Sequence, residues 1–92
     1  MYYIYVLFSH KDRMLYVGYT NDLKRRIGEH KTGTSQATKN RRPVSLIYYE
    51  CYLTAFEAMR REKYLKGGNG REQLKIQLSE TLRRLGYKYR NQ

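Results

Sequence analysis

Apolar and polar positions alternate along this chain in blocks, and each change of period marks a predicted element. Tyr2 to Phe8 is an uncharged run of Tyr, Ile, Val, Leu and Phe, the composition of a strand buried on both faces or nearly so. Ser9 to Arg13 is a polar connection of hairpin length, and Met14 to Tyr19 reads as the returning strand. Thr20 or Asn21 can cap a helix from Asp22 to about His30, whose apolar anchors, Leu23 and Ile27, lie one turn apart. Lys31 to Pro43 is polar and basic, a loop with room for a short helical turn. Val44 to Tyr52 then makes a third strand.

Two helices complete the pattern. Thr54-Ala55-Phe56-Glu57 has the form of a capping box opening a helix that stops at Gly67. At about 100° per residue, Ala55, Ala58, Met59 and Leu65 share its core face. After Gly67-Gly68-Asn69-Gly70, a last helix is predicted from about Arg71 to Leu85, with Leu74, Leu78, Leu82 and Leu85 at helical spacing and Gly86 as its end. The expected fold is α+β: a small three-stranded antiparallel sheet flanked by helices, in the order ββαβαα. Residues 1–86 form one domain in this reading, and 87–92 a frayed, flexible tail.

Charge adds a partner. Lys and Arg number 19 against 8 Asp and Glu, a net +11, which is the footprint of a polyanion binder. A passive basic surface or a ribosome-associated role fits the same number. Cys51 is the single cysteine, which excludes an internal disulfide or cysteine metal site and suits a reducing cytoplasm. It lies in an apolar run and reads as a core residue. No apolar stretch is long enough to span a bilayer, and Tyr2 to Phe8 lacks the basic leader and cleavage site of a signal peptide.

Four features suggest chemistry. Glu62 falls in the middle of the apolar stripe of its helix, where an ionised carboxylate is costly unless cations or donors meet it; a structural salt bridge is the plain alternative. Arg26 and His30 stack one turn apart beside Leu23 and Ile27, pairing a phosphate-matching fork with a group that moves protons near neutrality. Tyrosines number 11; Tyr3 and Tyr5 share one face of the first strand, and Tyr16 and Gly18 one face of the second. Packing explains most of the tyrosines, but a glycine inside a strand marks a close approach by a ligand or another backbone. Lys24, Arg25 and Lys31 spread over the outer face of the first helix, and Lys39, Arg41 and Arg42 form a cluster in the following loop.

Tyr3-Ile4-Tyr5, Tyr16-Val17-Gly18, Arg26, His30 and Glu62, in this order, resemble the GIY-YIG nuclease superfamily, and most closely its small stand-alone bacterial members. The resemblance spans roughly residues 2 to 80, and Arg60 to Leu65 is also typical of that branch. It implies a divalent-metal-dependent phosphodiesterase or endonuclease acting on a nucleic-acid backbone, with DNA the expected substrate and RNA the alternative. By the same carry-over, Glu62 would ligate one Mg²⁺ or Mn²⁺, Arg26 would neutralise the phosphate, and Tyr5 would be the favoured general base, with Tyr16 beside it and His30 assisting the proton. A free tyrosine has a pKa of about 10, so its surroundings must lower that value for it to serve as a base at neutral pH. Lys24, Arg25, Lys31, Lys39, Arg41 and Arg42 would hold the nucleic acid. Tyr3 stands where the family name has glycine, which could narrow the notch. The family's frequent Asn after the metal-binding Glu has only Asn69, Gln73 and Gln77 as candidates. A chain this short leaves no room for a DNA-targeting module, so low sequence specificity, or targeting by nucleic-acid structure or a protein partner, is expected. A non-catalytic RNA- or DNA-binding module on the same fold is the competing reading.

Overall fold

The computed structural model describes residues 1–89. A three-stranded antiparallel sheet in the order β2-β1-β3 is built from β1 (Tyr2–Ser9), β2 (Leu15–Thr20) and β3 (Val44–Tyr52). Helix α1 (Leu23–Thr32) follows the hairpin, and α2 (Ala55–Lys66), α3 (Gly68–Gln77) and α4 (Ser79–Leu85) follow the sheet. The α+β class and the three antiparallel strands are as the sequence predicts.

The central position of β1 accounts for its unbroken apolar run. Its two edges are paired and its two faces are covered, so Ile4 to Phe8 are fully buried. Ile4, Val6 and Phe8 join Val17, Ala58, Leu65, Leu74 and Leu82 in the main core. Tyr5 and Leu7 face the opposite side, where a smaller cluster forms with Val44, Tyr16, Leu23, Ile27 and Leu46 beneath α1. That second layer is covered by a single helix, and it is where the site lies.

Several boundaries move for physical reasons. Helix α1 is capped by Asp22, whose Oδ1 accepts from the Arg25 amide at 3.1 Å, while the Thr20 hydroxyl accepts from the Asp22 amide instead. The helix runs on to Thr32 and ends at Gly33 with φ of 85°. Thr54 does cap α2, accepting from the Glu57 amide and donating to its carboxylate. Gly67 to Gly70 is not a separate break, because α3 already starts at Gly68. A Cβ on Gly70 would lie 1.9 Å from the Tyr64 carbonyl oxygen, so glycine lets α3 fold tightly against the end of α2. The predicted last helix bends at Leu78, which turns Leu82 and Tyr87 back onto the core.

Two burial expectations are corrected. Cys51 is exposed, because it sits near the end of an edge strand that no helix covers there. Met59 is about half exposed, and the buried line of α2 is Ala58 and Leu65. Within the expected tail, Tyr87 packs against the core and the Lys88 amide donates to the Arg13 carbonyl at 2.9 Å; residues 90–92 lie outside the described residues. Among the described residues no helix is long and apolar enough to cross a membrane.

Candidate active site

Tyr5 and Gly18 are partners across the β1–β2 ladder. A Cβ on Gly18 would meet the Tyr5 ring carbons and hydroxyl at 2.4 Å. The close approach expected at this glycine is therefore made by a tyrosine side chain lying across the sheet. That placement aims the Tyr5 hydroxyl at α1, where it is 2.7 Å from His30 Nε2. Tyr16 closes the group, its ring centroid 6.3 Å from Tyr5 and 5.2 Å from His30.

His30 is fully buried and both ring nitrogens are occupied, Nδ1 lying 2.6 Å from Thr38 Oγ1. In the neutral ring one nitrogen donates and the other accepts, so each hydroxyl takes the complementary role. Burial, helped by the positive charge of Arg26, lowers the His30 pKa to about 4. The imidazole is thus neutral at physiological pH. Burial also pushes Tyr5 up to about 12, against a smaller downward pull from Arg26; the negative charge of Glu62 adds to the rise. The lowered phenol that neutral-pH base catalysis requires is not present in the free protein. Proton transfer from Tyr5 to His30 is strongly uphill across that gap.

Arg26 is held in place rather than free. Its guanidinium donates to Glu29 Oε1 at 2.8 Å and to Ser35 Oγ at 3.2 Å. The Glu29 carboxylate is the main reason its pKa rises further and its charge is permanent. A shallow cleft of about 350 Å³ opens beside it, lined by Tyr19, Thr20, Asn21, Arg25 and Glu29.

Glu62 lies on α2, and its negative charge is the weakest of the influences that raise Tyr5. It is half-buried and pairs with Lys66 at 3.0 Å, one turn on. Among the described residues no group of three His, Cys, Asp or Glu side chains is assembled for an ion. A lone carboxylate fits Mg²⁺ or Mn²⁺ bound mainly by water and substrate phosphate, the usual arrangement for Mg²⁺. Of the three amide candidates, Gln77 is engaged elsewhere, donating to the Tyr48 hydroxyl at 3.1 Å.

The expected nucleic-acid contacts divide. Lys24 and Lys31 line a cleft on the far flank of α1, and Arg25 the cleft beside Arg26. Lys39 is exposed. The Arg42 guanidinium lies against Gly33 and donates to the Lys39 carbonyl. Arg41 is a structural tie, donating to both Asp12 carboxylate oxygens, at 2.6 and 3.2 Å, and to the Leu15 carbonyl. The loop holding these residues does something the sequence analysis missed: its Ser35 and Thr38, both buried, brace Arg26 and His30. A second missed cluster is structural, with Glu50 accepting from Tyr48, Tyr52 and both arms of Arg61. The alternation Tyr48, Glu50, Tyr52 was its available signal.

The sheet, the paired tyrosines and the arginine and histidine on α1 define a GIY-YIG domain. The model of the GIY-YIG catalytic domain matches residues 1–75, and the chain belongs to that family. It is 41% identical over 75 residues to a UPF0213 protein of Staphylococcus haemolyticus, covering 80% of this chain and 90% of that one. It is 36% identical over 88 residues to a UPF0213 protein of Clostridium perfringens, covering 95% and 94%. A solution NMR structure of a UPF0213 protein from Bacillus halodurans superposes with a TM-score of 0.50 at 37% identity, over 80% of this chain and 82% of that one.

Proposed function

We propose that the protein is a divalent-metal-dependent endonuclease that hydrolyses the backbone of nucleic acid, DNA in the first place, with low sequence specificity, and that it acts in the cytoplasm. The observation that carries this reading is the Tyr5–His30–Thr38 hydrogen-bonded chain with Arg26, fixed by Glu29 and Ser35, one turn from His30 on the same helix. In the free protein Lys66 pairs with the half-buried Glu62 carboxylate, a one-turn ion pair weak enough for a divalent cation to displace.

In this mechanism Arg26, oriented by Glu29 and Ser35, receives the scissile phosphate and stabilises its growing charge. Glu62 would hold a Mg²⁺ or Mn²⁺, which would supply Lewis-acid polarisation of the phosphate and stabilisation of the leaving oxygen. Tyr5 acts as the phenolate, its own proton having left to solvent, and accepts the proton of the attacking water while the His30 Nε2 contact fixes its position. Tyr16, half-buried at the edge of the cluster, guides that water past Arg26 to the covered Tyr5 hydroxyl. A cation held at Glu62, with the phosphate on Arg26, would favour the phenolate near neutral pH.

The test incubates the protein with single-stranded, duplex and branched DNA, and with RNA, with Mg²⁺ or Mn²⁺ and with chelator. Metal-dependent cutting that disappears in Glu62→Ala and Arg26→Ala while binding persists supports the nuclease. Tight binding without cutting under every condition assigns the chain as a binding module.

A further inference from the structure

Helix α1 separates two clefts, and only one of them is lined by a group of the proposed reaction, Arg26. Arg26 and Glu29 point to the cleft already described. On the other flank, between α1 and β3, lies a larger cleft of about 640 Å³, lined by Tyr3, Leu23, Ile27, Gly28 and Leu46, with Asn21, Asp22, Lys24 and Lys31 as its polar lining. Its mostly apolar floor with a few charges at the edge is the usual make-up of a small-molecule site, and the volume is in the usual range of roughly 300–1,000 Å³.

Gly28 is the unexplained residue there. A glycine in the middle of a helix destabilises it relative to alanine. Nothing lies within 4 Å of where its Cβ would be, so neither packing nor backbone conformation within this chain requires it. Tyr3 is equally informative. It does not fill the notch beside Gly18, which belongs to Tyr5. Instead it lines this second cleft, half-exposed, with the Tyr49 ring 6.1 Å away.

We propose that this cleft is a subsite for one unpaired nucleotide of the bound strand. Its base lies on the Tyr3 ring and passes over the flat surface left by Gly28 against Leu23 and Ile27, and its flanking phosphates meet Lys24 and Lys31. Two lysines against the single Asp22 carboxylate, on a chain of net charge +11, favour a polyanion, and the aromatic and apolar floor selects an unstacked base over a continuous duplex, whose bases are not free to enter. This inference rests on the nucleic-acid reading above and deepens it, giving a preference for single-stranded or branched substrates over intact duplex.

The test is binding alone, in chelator and at 50 mM salt, so that no catalysis is needed. A fluorescein-labelled single-stranded oligonucleotide and the matching duplex are titrated with wild type, Tyr3→Ala and Gly28→Leu. Gly28→Leu fills the floor while improving helix propensity, so its thermal midpoint stays at or above that of wild type and a binding loss cannot be assigned to unfolding. Both variants are expected to weaken single-strand binding about tenfold, the scale of one lost base stack, and to change duplex binding less than twofold. Single-strand affinity unchanged in both variants, or equal losses for strand and duplex, overturns the subsite while leaving the nuclease reading intact. A wild-type protein that binds neither oligonucleotide overturns both.

Discussion

Gly18 and Tyr5 face each other across the β1–β2 ladder so closely that a methyl group on Gly18 would stand 2.4 Å from the tyrosine ring. The glycine of the second strand is thus the seat of the tyrosine of the first, and the seat is what brings the phenol to His30. Gly18→Ala must displace the ring or bend the strand. Overpacking of this kind costs about 1–3 kcal/mol, and even a small displacement lengthens the 2.7 Å contact with His30. Urea unfolding should show the lost stability, and cleavage should fall by much more than the unfolded fraction explains.

Thr38→Val keeps the shape of the side chain and removes the hydroxyl on His30 Nδ1. A buried imidazole nitrogen then lacks a partner, at a cost of about 1–3 kcal/mol, and the tautomer of His30 is no longer fixed. Cleavage should drop at least tenfold with substrate binding unchanged. Ser35→Ala, which removes one of the two polar contacts on Arg26, should have the milder effect. Equal effects would show that Thr38 acts only through stability.

Stability and activity should respond to pH in separate windows. The folded His30 has its pKa lowered from 6.5 to about 4, so the unfolded chain binds the proton first. The stabilisation is complete above about 6.5 and is lost as pH falls towards 4, by up to about 3 kcal/mol at 1.36 kcal/mol per pKa unit. A His30→Gln variant should show a flatter acid limb in urea melts from pH 7 to 4. Tyr5 behaves oppositely. With its pKa raised from 10.0 to about 12, its contribution is present below 10 and is lost as pH rises towards 12. As the base, it makes the single-turnover rate climb from pH 6 through 9. Bound phosphate and cation set where the climb ends, and a flat profile over that range removes Tyr5 from the role.

The predictable parts of this molecule were those with a period. β1 stood out because a central strand with both faces covered needs an unbroken apolar run, and the Thr54 cap was legible because a capping box lies in consecutive residues. Candidate groups such as Arg26 and His30 were visible as a one-turn pair. Ser35 and Thr38 were not, because they act through loop geometry that no periodicity encodes. Arg41 looked like a phosphate contact since its partner, Asp12, lies across the hairpin connection and far away in sequence. The close approach at Gly18 was legible, but its cause was not: the sequence pointed to a ligand or another backbone, and the structure puts the Tyr5 ring there.

The Arg41 tie separates structural from binding cations. Arg41→Ala breaks a two-pronged ion pair and a carbonyl contact, so it should lower the thermal midpoint. Lys39→Ala, at an exposed position, should leave the midpoint in place and reduce the salt slope of nucleic-acid binding by about 1. Measuring log affinity against log salt for both variants checks the division. A Lys39→Ala slope equal to that of wild type places the bound backbone away from this loop.

Lys66 occupies Glu62 at 3.0 Å in the free protein, and a cation that binds through this carboxylate must compete with it. The pair is on one helix, four residues apart and partly exposed, so the competition is weak: such pairs contribute about 0.3–0.5 kcal/mol. Lys66→Ala should therefore lower the Mg²⁺ concentration for half-maximal cleavage about twofold, while Glu62→Gln should abolish cleavage at any Mg²⁺ concentration. Chelator should stop wild-type cutting and leave oligonucleotide binding in place. If Lys66→Ala instead raises the metal requirement and Glu62→Gln still cuts, the carboxylate is only the partner of its neighbouring lysine. The cation would then have to be held by substrate phosphates without it.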